Sequence, residues 1–242
     1  MRSEAPVFVL VHSPLVGPST WQPVARELER HDRVALVPCL VDAAGAPAPQ
    51  LRRVCRVVTA STAHVTRPVI LVGHSGAGLL LPTIADAVSC PVAAMLFVDT
   101  FLPPPSGTVA LLPPEFLDEL RARARAGVLP PWSRWFGEDA MRDLVADDAM
   151  RARLEADMPQ LPVSYFEGKP PVTAGWDQRP CAYLLLSEVP YSAAAADAKA
   201  RGWPIAALPN ANHLSLVTDP KTVTGALLDL ERALVGPPEP SA

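Results

Sequence analysis

The sequence has no apolar run long enough to cross a bilayer, no cysteine pair at CxxC spacing, no excess of basic charge and few aromatic rings. Each absence narrows the field. A spanning helix needs a run of about 20 apolar residues, and none is present. The four cysteines (Cys39, Cys55, Cys90 and Cys181) are far apart and no histidine stands at metal-ligand spacing from them. They are expected as free thiols of a reducing compartment, neither a disulfide frame nor a metal site. Net charge is −4, from 21 Lys and Arg against 25 Asp and Glu, which gives no electrostatic case for nucleic acid. The one basic cluster, "ELRARARAG" at 119–127, alternates Arg with Ala and fits a solvated helix face better than a phosphate site. The opening "MRSEAPVFVLVH" enters a strand-like run too early for a signal peptide, so a cytoplasmic location without membrane attachment is expected.

What is present is core material. Hydrophobic residues make up 49% of the 242 and charged residues 19%, enough for one large α/β domain or two small ones and no case for global disorder. Six short apolar runs recur: "VFVLV" (7–11), "RVALVP" (33–38), "PVILVG" (68–73), "AAMLFVD" (93–99), "CAYLLLS" (181–187) and "WPIAALP" (203–209). They are apolar throughout rather than alternating, as parallel strands covered on both faces are. Helical patterns lie between them, at 19–30, 48–65, 76–89, 193–202 and 219–234. The expected fold class is therefore α/β: a doubly wound, mostly parallel six-stranded sheet.

Between the fourth and fifth strands the pattern breaks. Residues 101–180 are rich in proline and arginine and hold Trp132, Trp135 and Trp176, with helical patterns at 113–126 and 137–158. An insertion at the carboxyl ends of the strands lies where open α/β sheets bind ligands. The expected organisation is a core of 1–100 and 181–235, a helical lid or cap of 101–180 and a disordered tail at 236–242. The aromatics Trp132, Trp135, Phe136, Tyr165, Phe166 and Trp176 are divided between pocket lining and lid core, about half in each role being the expectation.

The chemistry centres on "VILVGHSGAGLLLP" (69–82). Ser75 follows a strand and precedes a helix, flanked by Gly73 and Ala77. A nucleophile on so sharp a turn has strained backbone angles, and neighbouring side chains must be small to avoid collision. A nucleophilic serine also needs a base. His12 ends the first strand, His31 lies in a turn, His64 ends a polar helix stretch, and His74 diverges from its neighbour Ser75. His213, in "LPNANHLSLVTDP" just past the last strand, is on a loop that returns over the turn and is the candidate base.

These residues together resemble a known family. "VGHSGAG", the N-terminal "LVHSPLVGPSTW" and the late "NANHLSLVTDP" are similar to the α/β-hydrolase superfamily, over nearly the whole chain. The immediate start at the first strand and the loop from His12 to Trp21 look like its compact esterase and hydroxynitrile-lyase branch, and like small bacterial hydrolases of that type.

The resemblance implies an acid behind His213, at one of two places. Most of the superfamily carries it after the strand at 181–187, where Glu188 is available although the matching position is nearer Pro190; haloalkane-dehalogenase-like members carry it one strand earlier, where Asp99 stands. Asp99 is preferred and Glu188 is the alternative. The resemblance also implies an oxyanion hole built from the backbone N–H of Gly76 and a donor in the first loop. That donor position is Pro14, which has no N–H, so Ser13 or Leu15 must serve or the hole is weak. Hydroxynitrile-lyase relatives carry a threonine at the place of Ser13.

The expected function is a serine hydrolase for a small, mostly apolar ester, thioester or lactone, with no metal or organic cofactor and a small-molecule substrate as its partner. The alternative keeps the fold with lyase, epimerase or cyclase chemistry, motivated by Pro14 and the uncertain acid. A ligand-binding protein on the same scaffold would not need both Ser75 and His213.

Overall fold

The computed structural model describes residues 5–137 and 140–236. Six strands form one fully parallel sheet: β1 (Val7–Val11), β2 (Ala35–Leu36), β3 (Val69–His74), β4 (Val92–Val98), and, after the insertion, β7 (Cys181–Leu185) and β8 (Ile205–Ala207). Two further strands within the insertion, β5 (Gly107–Thr108) and β6 (Pro171–Val172), pair antiparallel with each other. The main sheet runs in the order β2-β1-β3-β4-β7-β8. Its direction of winding reverses between β1 and β3, so the loops leaving these two strands part and open a crevice at their carboxyl ends.

The unbroken apolar runs follow from burial on both sides. Val7, Val9 and Val11 of β1 face one core, while Phe8 and Leu10 face the other. The second core is closed by α1 (Gln22–Arg30) and α10 (Pro220–Val235), which bring Val24, Leu28, Val223 and Leu227 onto Ile70, Val72 and Leu96. The first core is covered by α2 (Val41–Gly45), α3 (Gln50–Thr62), α4 (Leu81–Ala87) and α8 (Glu188–Ala200). Each fully buried aliphatic side chain contributes about 1.5–3 kcal/mol, so both layers are needed to hold a sheet this apolar in water. Trp21, fully buried just ahead of α1, completes the face expected of Trp21, Val24, Ala25 and Leu28.

Several boundaries differ from the sequence expectation for local reasons. The run at 33–38 pairs only over β2, at the sheet edge. The helix expected from residue 76 begins as a 3₁₀ helix, Ser75–Leu80, and becomes α-helical only at α4, whose first turn holds Pro82. Proline belongs in a first turn, where its missing N–H has no intrahelical partner to lose. In the insertion, α5 (Pro114–Arg123) stops short of residue 126 because Ala126 and Gly127 turn left-handed (φ 49° and 76°). The single helix expected at 137–158 is two: α6 (Ala140–Leu144) and α7 (Asp148–Ala156). Asp147 separates them and caps α7, its Oδ1 accepting from Met150 N at 2.7 Å. The Arg-rich cluster is a solvated, paired face: Arg121 bonds Asp118 and Glu167, both at 2.8 Å.

The insertion is fastened to the core at Asp157, whose carboxylate accepts from Ser19 Oγ (2.8 Å) and Ser19 N (3.0 Å). Gly17 is required there, since a Cβ would lie 2.1 Å from the Asp157 carboxyl carbon. All four cysteines are free. Among the described residues no helix is long and apolar enough to cross a membrane. The tail expected at 236–242 falls outside the described residues apart from Gly236.

Candidate active site

Four strand ends meet at the crevice. Ser75 leaves β3 with φ of 54°, the left-handed region that side chains other than glycine rarely occupy. The turn is held from below by close packing. A Cβ on Gly73 would come within 3.0 Å of the Gly78 backbone, and one on Gly78 would lie 2.4 Å from Thr100 Oγ1. Thr100 Oγ1 donates to the Ser75 carbonyl, so the turn after β3 is tied to the loop after β4. Ala77, where the family pattern has glycine more often, is fully buried and fits.

Asp99 follows β4, also left-handed (φ 46°) and fully buried. Its Oδ1 accepts from the backbone N–H groups of Leu186 (2.9 Å) and Ser187 (2.7 Å), and its Oδ2 accepts from His213 Nδ1 at 2.7 Å. Burial works to raise its pKa; the bonds from His213 and Ser187 outweigh it and hold the carboxyl below its ordinary value. Asp99 is thus the carboxylate that pairs with His213. Glu188, the alternative, is exposed at the start of α8 and lines no part of the cavity. The loop after β7, where most of the family carries the acid, instead supplies the two N–H groups that fix Asp99.

His213 itself is mostly enclosed, with 15% of its side chain exposed. Its ring lies 4.5 Å from that of His74 and 5.4 Å from that of Tyr191, the latter nearly parallel at 19°. His74 donates from Nε2 to the His213 carbonyl at 3.0 Å, while its Nδ1 is buried without a partner. This tautomer follows from the acceptor offered. His74 therefore diverges from Ser75 as the sequence suggests, yet it fixes the loop that carries His213. His12, by contrast, is bound at both nitrogens, Nδ1 to Ser13 O (2.8 Å) and Nε2 to Leu40 N (2.9 Å), and anchors the first loop.

Burial holds both His74 and His12 below the ordinary histidine pKa, His74 the further, with the neighbouring His213 also opposing its charge. Their folded pKa values are depressed, so the unfolded chain binds more protons in acid. Their contribution to stability is intact above about pH 6.5 and is lost as pH falls below it, by about 1 kcal/mol per pH unit for each group. Urea unfolding at pH 7.5, 6.5 and 5.5 is expected to show this decline, and His74→Gln to flatten it; a pH-independent midpoint in the wild type would contradict the assignment.

The first loop crosses above Gly76. Ser13 Oγ lies 3.5 Å, and Pro14 Cδ 3.7 Å, from where a Gly76 Cβ would be. Leu15 N points to Ser13 Oγ at 3.4 Å. The Leu15 N–H is therefore turned to Ser13, and the Ser13 hydroxyl, accepting from it, keeps its proton to donate elsewhere.

Between this floor and the insertion is a cavity of about 420 Å³. Ser75, Gly76, Ser13, Pro14, Leu15 and His213 form its polar end, and Trp132, Trp135, Phe136, Tyr165 and Phe166 its apolar walls. Five of the six expected aromatics thus face it, more than the expected half. Trp176 does not: it is buried against Phe97 and Trp203, its Nε1 donating to Pro104 O. The mouth is apolar, with Phe101, Phe136 and Val189 exposed. Among the described residues no cluster of three or more His, Cys, Asp or Glu side chains could hold a metal ion.

Sequence reasoning missed Thr100 and Tyr191. Thr100 stands two residues past the carboxyl end of β4, which is the signal that could have found it, because the crevice of an open α/β sheet is built from such loops; Tyr191 lies in the first part of α8, where the sequence carries no such mark.

A model of the alpha/beta hydrolase family matches residues 8–226. No curated protein matches the chain. Among solved structures, an extracellular alpha/beta-hydrolase from a Paenibacillus species is similar at 18% identity and TM-score 0.73, over 93% of this chain and 98% of that one. A pyrethroid hydrolase from Sphingobium faniae JZ-2 gives 18% identity and TM-score 0.68, covering 96% and 99%. Tomato methylketone synthase I gives 12% and 0.71, covering 95% and 98%. At these identities the likeness is one of fold.

Proposed function

The chain belongs to the alpha/beta hydrolase family, and on that premise we propose that it is a serine hydrolase of small, mostly apolar esters, thioesters or lactones. The observation that carries this reading is the 2.7 Å bond from His213 Nδ1 to a fully buried Asp99, with His213 lining the same cavity as Ser75 on its strained turn. Asp99 fixes the imidazole with its proton on Nδ1, leaving Nε2 free to act as base.

The steps follow. Ser75 Oγ attacks the carbonyl carbon while His213 Nε2 takes its proton. The negative charge that develops on the carbonyl oxygen is met by Gly76 N–H and the Ser13 hydroxyl, in the place left without a donor by Pro14. The carbon–oxygen bond to the leaving group breaks with its electron pair on oxygen, and His213 returns the proton there. Water then repeats the sequence on the acyl-Ser75 ester and frees the enzyme. No metal or organic cofactor enters. Residues 101–180 act as the lid, and the apolar walls select an acyl or alcohol portion with few polar groups. The lyase, epimerase or cyclase reading loses both its motives, since Asp99 is paired with His213 and Ser13 stands beside Gly76.

A fluorophosphonate probe tests the proposal directly. Stoichiometric labelling of the native chain is expected, mapped to Ser75 by peptide mass and lost in Ser75→Ala. A well-folded wild-type protein that takes no label would overturn the serine-nucleophile mechanism.

A further inference from the structure

A second cavity, of about 710 Å³, lies where residues 164–171 of the insertion cross α3 and α4. It is larger than the active-site cavity and shares no lining residue with it. Chain neighbours are divided between the two: Leu79 lines the first and Leu80 the second, Tyr165 the first and Ser164 the second. The crossing is fixed on both sides of the space. Gln50, buried at the start of α3, donates from Nε2 to Ser164 Oγ at 2.9 Å, and Thr83 Oγ1 donates to Pro171 O at 2.7 Å. At Gly168 the insertion lies so close to α3 that a Cβ would stand 2.7 Å from Leu51 Cδ1. The volume falls within the about 300–1,000 Å³ usual for small-molecule sites. The catalytic scheme uses none of it.

The lining has two chemistries. Leu51, Cys55, Leu80 and Pro170 give it apolar surface. Arg52, Arg56 and Lys169 give it cations, the arginines from α3 and the lysine from the insertion. Among the described residues none of these three has a carboxylate partner. The one carboxylate of the lining, Glu167, is taken by Arg121 at 2.8 Å. Arg52 and Arg56 stand four apart on one helix, a spacing at which like charges repel. Other arginines of this chain sit with carboxylates, as Arg179 does with Asp86 and Arg201 with Asp177 and Asp197. Three cations without one, in a chain of net charge −4, reverse the sign of the surface locally. An anion among them relieves the repulsion, and guanidinium groups match carboxylate and phosphate oxygens.

We propose that this cavity is a second ligand site, for an anionic amphiphile: a single alkyl or acyl chain laid on the apolar surface, with a carboxylate or phosphate head held by Arg52, Arg56 and Lys169. The chain supplies affinity by leaving water, and the head supplies selection by sign of charge. The site binds without a covalent step, and it stands whether or not Ser75 is a nucleophile.

Cys55 reports occupancy from within the lining. Burial pushes its thiol up, so alkylation by N-ethylmaleimide is followed in mildly alkaline buffer and mapped by peptide mass. The full chain is titrated with dodecanoate, dodecyl phosphate, dodecyltrimethylammonium and inorganic phosphate, the amphiphiles below their micelle-forming concentrations. Dodecanoate and dodecyl phosphate are expected to protect Cys55 and to bind by calorimetry, the tighter of the two identifying the head group. The ammonium amphiphile and inorganic phosphate are expected to do neither. Arg52→Gln/Arg56→Gln, at two exposed positions, is expected to weaken anion binding about 10- to 100-fold, the range for a charge-assisted hydrogen bond. Equal protection by the ammonium amphiphile would show that charge is not read and overturn the inference. So would inorganic phosphate binding as tightly as dodecyl phosphate, since the apolar wall would then add nothing. Undiminished binding in the double variant would place the ligand in the Ser75 cavity instead, and no binding of either anionic amphiphile would leave the site without its ligand; both outcomes overturn it. If Cys55 alkylates too slowly to follow, calorimetry with the same ligands and the same variant decides alone.

Discussion

Asp99→Asn is expected to lower kcat on any ester the protein hydrolyses by about 10⁴-fold while leaving the fold intact. The side chain is nearly isosteric, and its oxygen can still accept from Leu186 and Ser187 N–H, which now bind Oδ1. The amide nitrogen then faces His213 Nδ1, where a carboxylate oxygen stands at 2.7 Å. An N–H group there must meet an unprotonated Nδ1, so the imidazole carries its proton on Nε2. That tautomer presents a proton to Ser75 where an acceptor is needed, and general-base catalysis stops. Glu188→Gln is the control, since its side chain is exposed; its activity is expected to stay within about twofold, as for surface substitutions generally. Steady-state rates on short aryl esters, with circular dichroism to check folding, decide the matter. Comparable losses in the two variants, or a larger loss in Glu188→Gln, would move the acid role away from Asp99.

Ser13→Ala should cost about 10²–10³-fold in kcat with little change in KM, the signature of a donor that matters only when charge develops on the carbonyl oxygen. Pro14 removes the backbone donor that relatives use at this place, and Leu15 N–H is directed to Ser13 Oγ at 3.4 Å. The Ser13 hydroxyl, beside Gly76, is then the proposed second donor. Ser13→Thr keeps the hydroxyl and is expected to retain most of the activity. In the Ser13→Ala background, Pro14→Gly restores a backbone N–H and is expected to recover part of the loss. Retention of full activity by Ser13→Ala would show that the oxyanion is held without it.

The fold was legible because its signals are local and redundant. Continuous apolar runs such as "VILVG" mark strands buried on two faces, and β-branched residues that suit a strand fill them. Ser75 was legible for a related reason: a strand, a tight turn of small residues and a helix are contiguous in sequence, so the strain at one backbone position leaves its mark in Gly73 and Ala77. His213 could be chosen over four other histidines because it alone follows the last strand. Boundaries that depended on partners were less legible. The break between α6 and α7 and the 3₁₀ start after Ser75 are settled by a cap, a proline and the packing of Gly78 on Thr100.

The sequence by itself determined the class of fold, the strained serine and the missing backbone donor at Pro14, since each rests on residues adjacent in the chain. Only the tertiary structure decided which carboxylate stands behind His213, which hydroxyl faces Gly76 and that Tyr191 covers the imidazole. Those groups lie on different strand ends, 114 residues apart in the case of Asp99 and His213. The order of strands in the sheet, set by burial over the whole domain, is what brings them within hydrogen-bonding distance.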